Sequence, residues 1–370
     1  MPRRDPALHR AVVLCSQDLA EWRSSFAAGD VPAALPYEVD ALGLDGFQVD
    51  AFGRSGGPFI RRLRDVVEHR RGYAVQAASR AARSAFGADF VLALLEREGV
   101  LPSLWRRRGL PPYAGTPLVV WSCWLADDLR KAEAPRREQI KRQLDGVDLL
   151  THLSPTETEI FTDLGIPEDR LYPVTYGVSH RFYTPGSGPR DIPVLAVGQD
   201  RGRDYRTLFE AVRGTDIQLT VVCRQENLVG LEAPPNVTVL GPVPHRTYRD
   251  LLRRAQVLAV PTQVLAYPTG SSVALEGASS GCCIVVTDTP AMREYFTDGD
   301  DARMLPPQDP GAWREELARL LAADAERARL GANARQLVER RFNAQNMWRG
   351  LVSVMGERGL IDTPPSPVSA

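Results

Sequence analysis

Lysine is almost missing from this 370-residue chain. Lys131 and Lys141 are the only two, and every other one of its 45 basic side chains is arginine. An anion held by side chains here must meet guanidinium forks, helped by backbone amides. Histidine is scarce as well, and the five present are not clustered in motifs. Five cysteines without metal-like spacing, and no signal peptide, lead to the expectation of a reduced, cytoplasmic protein that holds no metal. Cys282-Cys283 reads as core packing. No apolar run approaches the ~20 residues that would span a bilayer. Neither sign of charge dominates: 45 basic against 46 acidic side chains leave a net charge of -1, which gives no basis for a nucleic-acid partner. What is present is 44% hydrophobic residues, enough for two cores. The length fits two domains of roughly 150–200 residues each.

The densest signal is Ala266 to Thr287. Thr269-Gly270-Ser271-Ser272 is a small-residue loop that can lay its backbone against an anion, and a helix begun there aims its N–H groups the same way. Glu276 lies about one turn into that helix, placed to accept hydrogen bonds from a ribose diol. Gly281 ends the helix and Cys282–Thr287 reads as a buried strand. Along the rest of the chain, short apolar runs alternate with helical patterns. Strands are expected at 11–15, 47–52, 89–95, 117–124, 147–154 and 171–179, then at 192–198, 217–223, 237–240 and 257–261. That alternation predicts doubly wound parallel sheets. Tyr37–Leu44 reads as helix and Leu101–Tyr113 as loop. Ser154 with Glu157 predicts a capping box.

These residues resemble the donor-sugar motif of GT-B glycosyltransferases, most closely the retaining family 4. The likeness covers about 191–342 well and is weak before that. It implies an α/β fold with two Rossmann-like parallel-sheet domains facing across a cleft: an acceptor-side domain at 1–186 and a nucleotide-sugar domain at 187–342. A helix at 343–356 is then expected to cross back to the first domain, followed by a disordered tail at 357–370. The family motif has two acidic residues. Glu276 matches the second, while Pro268 stands at the first. Three explanations stay open: a changed donor, another carboxylate such as Asp127 acting instead, or loss of catalysis.

The resemblance further implies a nucleotide-diphosphate sugar as co-substrate, with no cofactor and no metal. Arg203 aligns with the family's diphosphate-binding lysine, and Arg201 substitutes for its arginine from two residues further on. Gly198 ends the preceding strand. Arg224 and Val243 fall where the family contacts the base. Thr269, Gly270, Ser271 and Ser272 add N–H groups to the phosphates. In the first half, Trp121, Ser122, Trp124 and Asp127 sit at a strand end, where ligands of open sheets gather; Trp121, Ser122 and Trp124 are the acceptor-side candidates for a small-molecule or glycolipid acceptor, and Asp127 joins Arg201 and Arg203 as a catalytic candidate. A sugar-nucleotide epimerase or hydrolase on the same fold, and a non-catalytic subunit supporting a partner enzyme, are the rival readings. The sequence leaves the oligomeric state open.

One further stretch stands out. Phe59, Ile60, Leu63, Val66 and Val67 share a helical stripe within 59–73, among five arginines. An ordinary surface helix with its apolar face on the sheet is the expected arrangement. Peripheral membrane contact is the alternative.

Overall fold

The computed structural model describes residues 9–362. The start of the polar lead-in and the Pro/Ser-rich end, 1–8 and 363–370, lie outside the described residues. The chain divides into two compact units. The first takes the described parts of 1–28, 33–175 and 345–370; the second takes 29–32 and 176–344.

The first unit holds a six-stranded sheet in the order β2-β1-β3-β4-β5-β6. Its strands are β1 (His9–Asp18), β2 (Phe47–Arg54), β3 (Phe90–Leu94), β4 (Leu118–Trp121), β5 (Leu149–His152) and β6 (Leu171–Pro173), and every pairing is parallel. β3 and β4 are buried along their whole length, as the unbroken apolar runs require of a sheet covered on both faces. The helices are α1 (Leu19–Ala27), α2 (Pro58–Arg71), α3 (Gln76–Ala85), α4 (Glu96–Arg107), α5 (Leu125–Lys131), α6 (Ala134–Leu144) and α7 (Thr158–Asp163). The predicted capping box at Ser154 and Glu157 is formed. From Gln345 on, the C-terminal helix Ala344–Glu357 belongs to this unit. Its Trp348 Nε1 donates to the Tyr37 carbonyl at 3.0 Å and its Arg349 pairs with Asp45 at 3.2 Å.

Three local expectations change. Residues 37–44 form a 3-10 segment, Pro36–Asp45, in which Tyr37 and Glu38 take left-handed backbone (φ 58° and 53°). The Asp40 carboxylate accepts from Leu35 N at 3.1 Å, a local bond that competes with a regular helical start. The loop expected at 101–113 is replaced over its first half by α4, which runs through Pro102. Gly99 lies so close to Val120 that a Cβ there would stand 2.4 Å from Val120 Cγ2, so tertiary packing against β4 overrides the proline. Finally, α2 is a helix, but its apolar side is turned outward. Phe59 is 80% exposed and Ile60, Val66 and Val67 are exposed too, while among the described side chains of α2 Glu68 is the buried one; the side chain of Leu63 lies outside those described.

The second unit has six parallel strands: β7 (Ile192–Val197), β8 (Leu219–Val222), β9 (Val237–Leu240), β10 (Ala255–Val260), β11 (Cys283–Thr287) and β12 (Arg303–Leu305). Their order, β12-β11-β10-β7-β8-β9, is that of a Rossmann sheet, with the topological switch between β7 and β10. Short β12, opening on a charged residue, was not anticipated. Around the sheet lie α8 (Tyr205–Val212), α9 (His245–Arg254), α10 (Ser271–Ser279), α11 (Pro310–Leu321) and α12 (Asp324–Arg340). Two apolar clusters fill its faces, one around Leu258, Leu275 and Ile284, the other around Phe209, Trp313 and Leu317. The boundary expected between residues 186 and 187 lies inside this unit, which begins its long segment at Tyr176.

Candidate functional site

The second sheet's switch point places its ligand crevice beyond the carboxyl ends of β7 and β10. β7 runs out at Gly198 and its following loop folds back across the end of β10. There Arg203 bridges to Thr262 in antiparallel fashion, and Gln263 N donates to the Gly202 carbonyl at 2.8 Å. Asp204 N donates to the Pro261 carbonyl, and the Asp204 side chain caps α8. The backbone of Arg203 is thus fixed on both sides.

Its side chain is the unusual feature. Arg203 is 8% exposed, and its Nε and Nη1 are buried without a hydrogen-bond partner; the adjacent Thr262 Oγ1 is in the same state. Buried polar groups are rarely left unpaired, because each costs on the order of 1–3 kcal/mol. Two glycines make the close fit. A Cβ on Gly198 would lie 1.9 Å from Arg203 Nε, and one on Gly270 would lie 2.2 Å from Nη1. Gly270 also has φ 89°, which a side chain would strain further. It is the residue before α10, whose start has no side-chain cap. Thr269 N and Ser271 N, expected to face phosphates, instead donate to the Tyr267 and Pro268 carbonyls at 2.8 and 3.0 Å, so it is the first-turn amides after Ser271 that share this locality with the guanidinium, both suited to an anion.

The loop before α10 is held by a residue that sequence reasoning passed over. Asp200 Oδ2 accepts from Tyr267 Oη at 2.8 Å and from Thr269 Oγ1 at 2.7 Å, so a single carboxylate ties the β7 loop to the motif. The two donors flank Pro268, and that spacing was the available signal. Thr269 and Ser271 are buried and Ser272 is partly exposed. Arg201 is exposed on the Arg203 loop, Arg224 is exposed beyond β8, and Val243 is half-buried against the core.

Glu276 is half-buried on α10 and accepts from Tyr248 Oη at 2.7 Å. Burial pushes its carboxyl up to about 7, against the opposing pull of hydrogen bonds from Tyr248 and Tyr183 and of the Arg203 charge. Glu276, Gly270 and Arg203 therefore surround one place. The two tyrosines were not foreseen; Tyr183 and Tyr248 pack edge to face 5.9 Å apart.

Residues 205–323 match the family model described as glycosyl transferases group 1. Among solved structures, the chain superposes on Anabaena HepE in complex with UDP and glucose with a TM-score of 0.65 at 12% identity, covering 94% of this chain and 100% of that one. It superposes on sucrose-phosphate synthase from Thermosynechococcus elongatus with a TM-score of 0.67 at 18% identity, covering 93% and 98%. The fold is GT-B. Sequence relatives include an MMP alpha-(1->4)-mannosyltransferase of Mycolicibacterium hassiacum, 26% identical over 236 residues, 59% of this chain. A D-inositol 3-phosphate glycosyltransferase of Xylanimonas cellulosilytica is 36% identical over 106 residues, 29% of this chain. The matched parts span 55% and 24% of those two relatives.

In the first unit of this GT-B chain, the acceptor-side candidates separate. Trp121 is buried and packs edge-on against Tyr37 and Trp348 at 4.8 and 5.9 Å, which is core packing. Ser122 is buried and donates to Glu96 at 2.9 Å. Asp127 is buried and paired with Lys131 at 2.7 Å. Trp124 is 38% exposed and lines a cavity of about 390 Å³, together with Arg54, Leu95, Glu96 and Glu98 at the ends of β2 and β3. Leu95 sits at φ 84°, ψ 159°, a conformation rare outside glycine, and it turns the chain so that Glu96 caps α5. Glu96 Oε1 takes the amides of Cys123, Trp124 and Leu125 as well as Ser122 Oγ. Burial pushes the neighbouring Glu98 up to about 7. Among the described residues no group of three or more His, Cys, Asp or Glu is arranged to hold a metal ion, and no helix is long and apolar enough to cross a membrane.

Proposed function

We propose that this protein is a retaining glycosyltransferase that moves a sugar from a nucleotide-diphosphate sugar to an acceptor hydroxyl. The observation that carries the reading is the buried Arg203 guanidinium, with two unpaired nitrogens, set against Gly198, Gly270 and the uncapped start of α10. A diphosphate fits that chemistry: its oxygens accept from the guanidinium and from the first-turn amides of α10 that follow Ser271. As the glycosidic bond breaks, negative charge grows on the leaving diphosphate, and fixed donors there stabilise the transition state more than the bound substrate. Arg201, exposed on the same loop, supplies a second cation. Glu276 takes the ribose hydroxyls, Arg224 and Val243 the base. With Pro268 at the first acidic position of the motif, the leaving phosphate itself takes the acceptor proton, and the protein positions the partners. The two sequence relatives are named as a mannosyltransferase and a glycosyltransferase, and HepE was solved with UDP and glucose, which favours the same class here.

Calorimetric titration of UDP and GDP into the wild type and Glu276→Ala is the direct test. Tight binding lost in the variant is expected; equal affinity would remove the ribose assignment. Incubation with a panel of nucleotide sugars, read as released nucleoside diphosphate by mass, separates an enzyme from a supporting subunit. A subunit would bind and release nothing.

A further inference from the structure

The outward face of α2 has no role in the reading above. We propose that α2 is a membrane-interface helix, which lays its apolar face on an anionic lipid surface.

The argument begins with which side of the helix holds it to its unit. Glu68 is buried and its Oε1 accepts from Val75 N at 2.9 Å and Gln76 N at 3.1 Å. Arg64 lies on the same side, with its guanidinium on Asp65 and on Gln76 Oε1. Arg61 reaches across to Asp18 at 2.9 Å. The side that anchors α2 is therefore its polar side. At about 100° per residue, Phe59, Ile60, Val66 and Val67 occupy an arc of roughly 120° on the opposite side. They are 80%, 51%, 46% and 36% exposed. Single exposed apolar residues need no explanation, but four on one face of one helix form a patch.

Charge selects the occupant. Arg62, Arg70 and Arg71 are exposed around the patch and form no ion pair among the described residues. Their long stems can lie along the apolar arc while the guanidinium groups reach lipid phosphates. A second copy of the chain docking on this face would bring the same arginines against one another, which opposes a self-complementary contact. An anionic bilayer surface accepts both the apolar arc and the cations.

The test is co-sedimentation of the full chain with vesicles of phosphatidylcholine containing about one third phosphatidylglycerol, against phosphatidylcholine alone. The wild type is expected to partition onto the anionic vesicles and to release as salt shortens the screening length. Phe59→Ser with Ile60→Ser should lower partitioning by about tenfold or more. Arg62→Ser with Arg70→Ser should weaken it and flatten its salt dependence. Both variants should keep the wild-type melting temperature and UDP affinity, since none of these side chains is buried and all belong to the unit that does not hold Arg203. No partitioning by the wild type, or equal partitioning by the Phe59→Ser, Ile60→Ser variant, overturns the proposal. So does a concentration-dependent dimer that this variant abolishes while vesicles fail to bind, which would assign the face to a second copy.

Discussion

The two sheets offer the same location and opposite chemistry. Each has a topological switch, between β1 and β3 in the first unit and between β7 and β10 in the second. Beyond the second switch lies an unpaired guanidinium between two glycines. Beyond the first lie a strained Leu95, a carboxylate engaged by four donors and another carboxylate pushed up to about 7. Doubly wound topology supplies a crevice at the strand ends and says nothing of what fills it. The side chains just past each strand decide that one end is cationic and the other acidic. The comparison can be broken or sharpened by changing one group at a time.

The largest effect is expected from Arg203→Ala. If the guanidinium exists to meet a diphosphate, UDP or GDP affinity should fall by about 100-fold or more. The same change removes a buried, unpaired donor group, so the unliganded protein should melt no lower than wild type, and higher if the desolvation term of about 1–3 kcal/mol outweighs lost packing. Weaker binding with undiminished stability marks a group kept for a ligand. A collapse in melting temperature would mark a structural arginine.

Gly198→Ala should come next. Its new Cβ would stand 1.9 Å from Arg203 Nε, so the side chain must be displaced. Affinity should fall by roughly 10- to 100-fold, between Arg203→Ala and no change, with Arg203 itself intact. Calorimetry reads the result; unchanged affinity would mean that the guanidinium's exact seat is unimportant.

How far could such an outcome be read from the chain alone? The strands were legible because parallel strands buried on both faces are unbroken apolar runs, and eleven such runs between helical patterns leave few other folds. Arg203, Gly270 and Glu276 were legible as a set because lysine is nearly absent and the glycine–serine loop precedes a short helix. Asp200, Tyr183 and Tyr248 were not, since their work is done across distances in sequence that no local pattern records. The face of α2 was misjudged for the same reason. Periodicity shows that a helix has an apolar stripe, but the direction of that stripe is set by Glu68 finding the amides of Val75 and Gln76. Pro102 misled in the other direction, because Gly99 packing on Val120 holds a helix that local preference would break.

Glu276 is the group through which a moderate effect and a pH dependence should appear together. Its carboxyl is raised from 4.5 to about 7 by burial. A raised carboxyl pKa means that the folded state binds the proton more tightly than the unfolded chain. The stability this gives is fully present below about 4.5 and is lost as pH rises through about 7. Glu276→Gln should therefore match the wild type near pH 5 and melt higher near pH 8, by an amount on the order of 1–3 kcal/mol. Ribose hydroxyls need the carboxylate as acceptor, so wild-type UDP affinity should weaken as pH drops from 8 to 6 and that dependence should vanish in the variant. A flat wild-type profile would detach Glu276 from the nucleotide.

The smallest effect on binding, none at all, belongs to Glu98→Gln at the other sheet. Glu98 is raised to about 7 for the same reason, burial, and the arginines at 54 and 97 pull it back only in part. Its stability profile should resemble that of Glu276: equal to the variant near pH 5 and lower than the variant near pH 8. UDP affinity, however, should be the same in wild type and Glu98→Gln at both values. The two substitutions therefore form a pair, alike in titration and different in ligand response. If Glu98→Gln also altered nucleotide binding, assigning the nucleotide to the second sheet alone would fail.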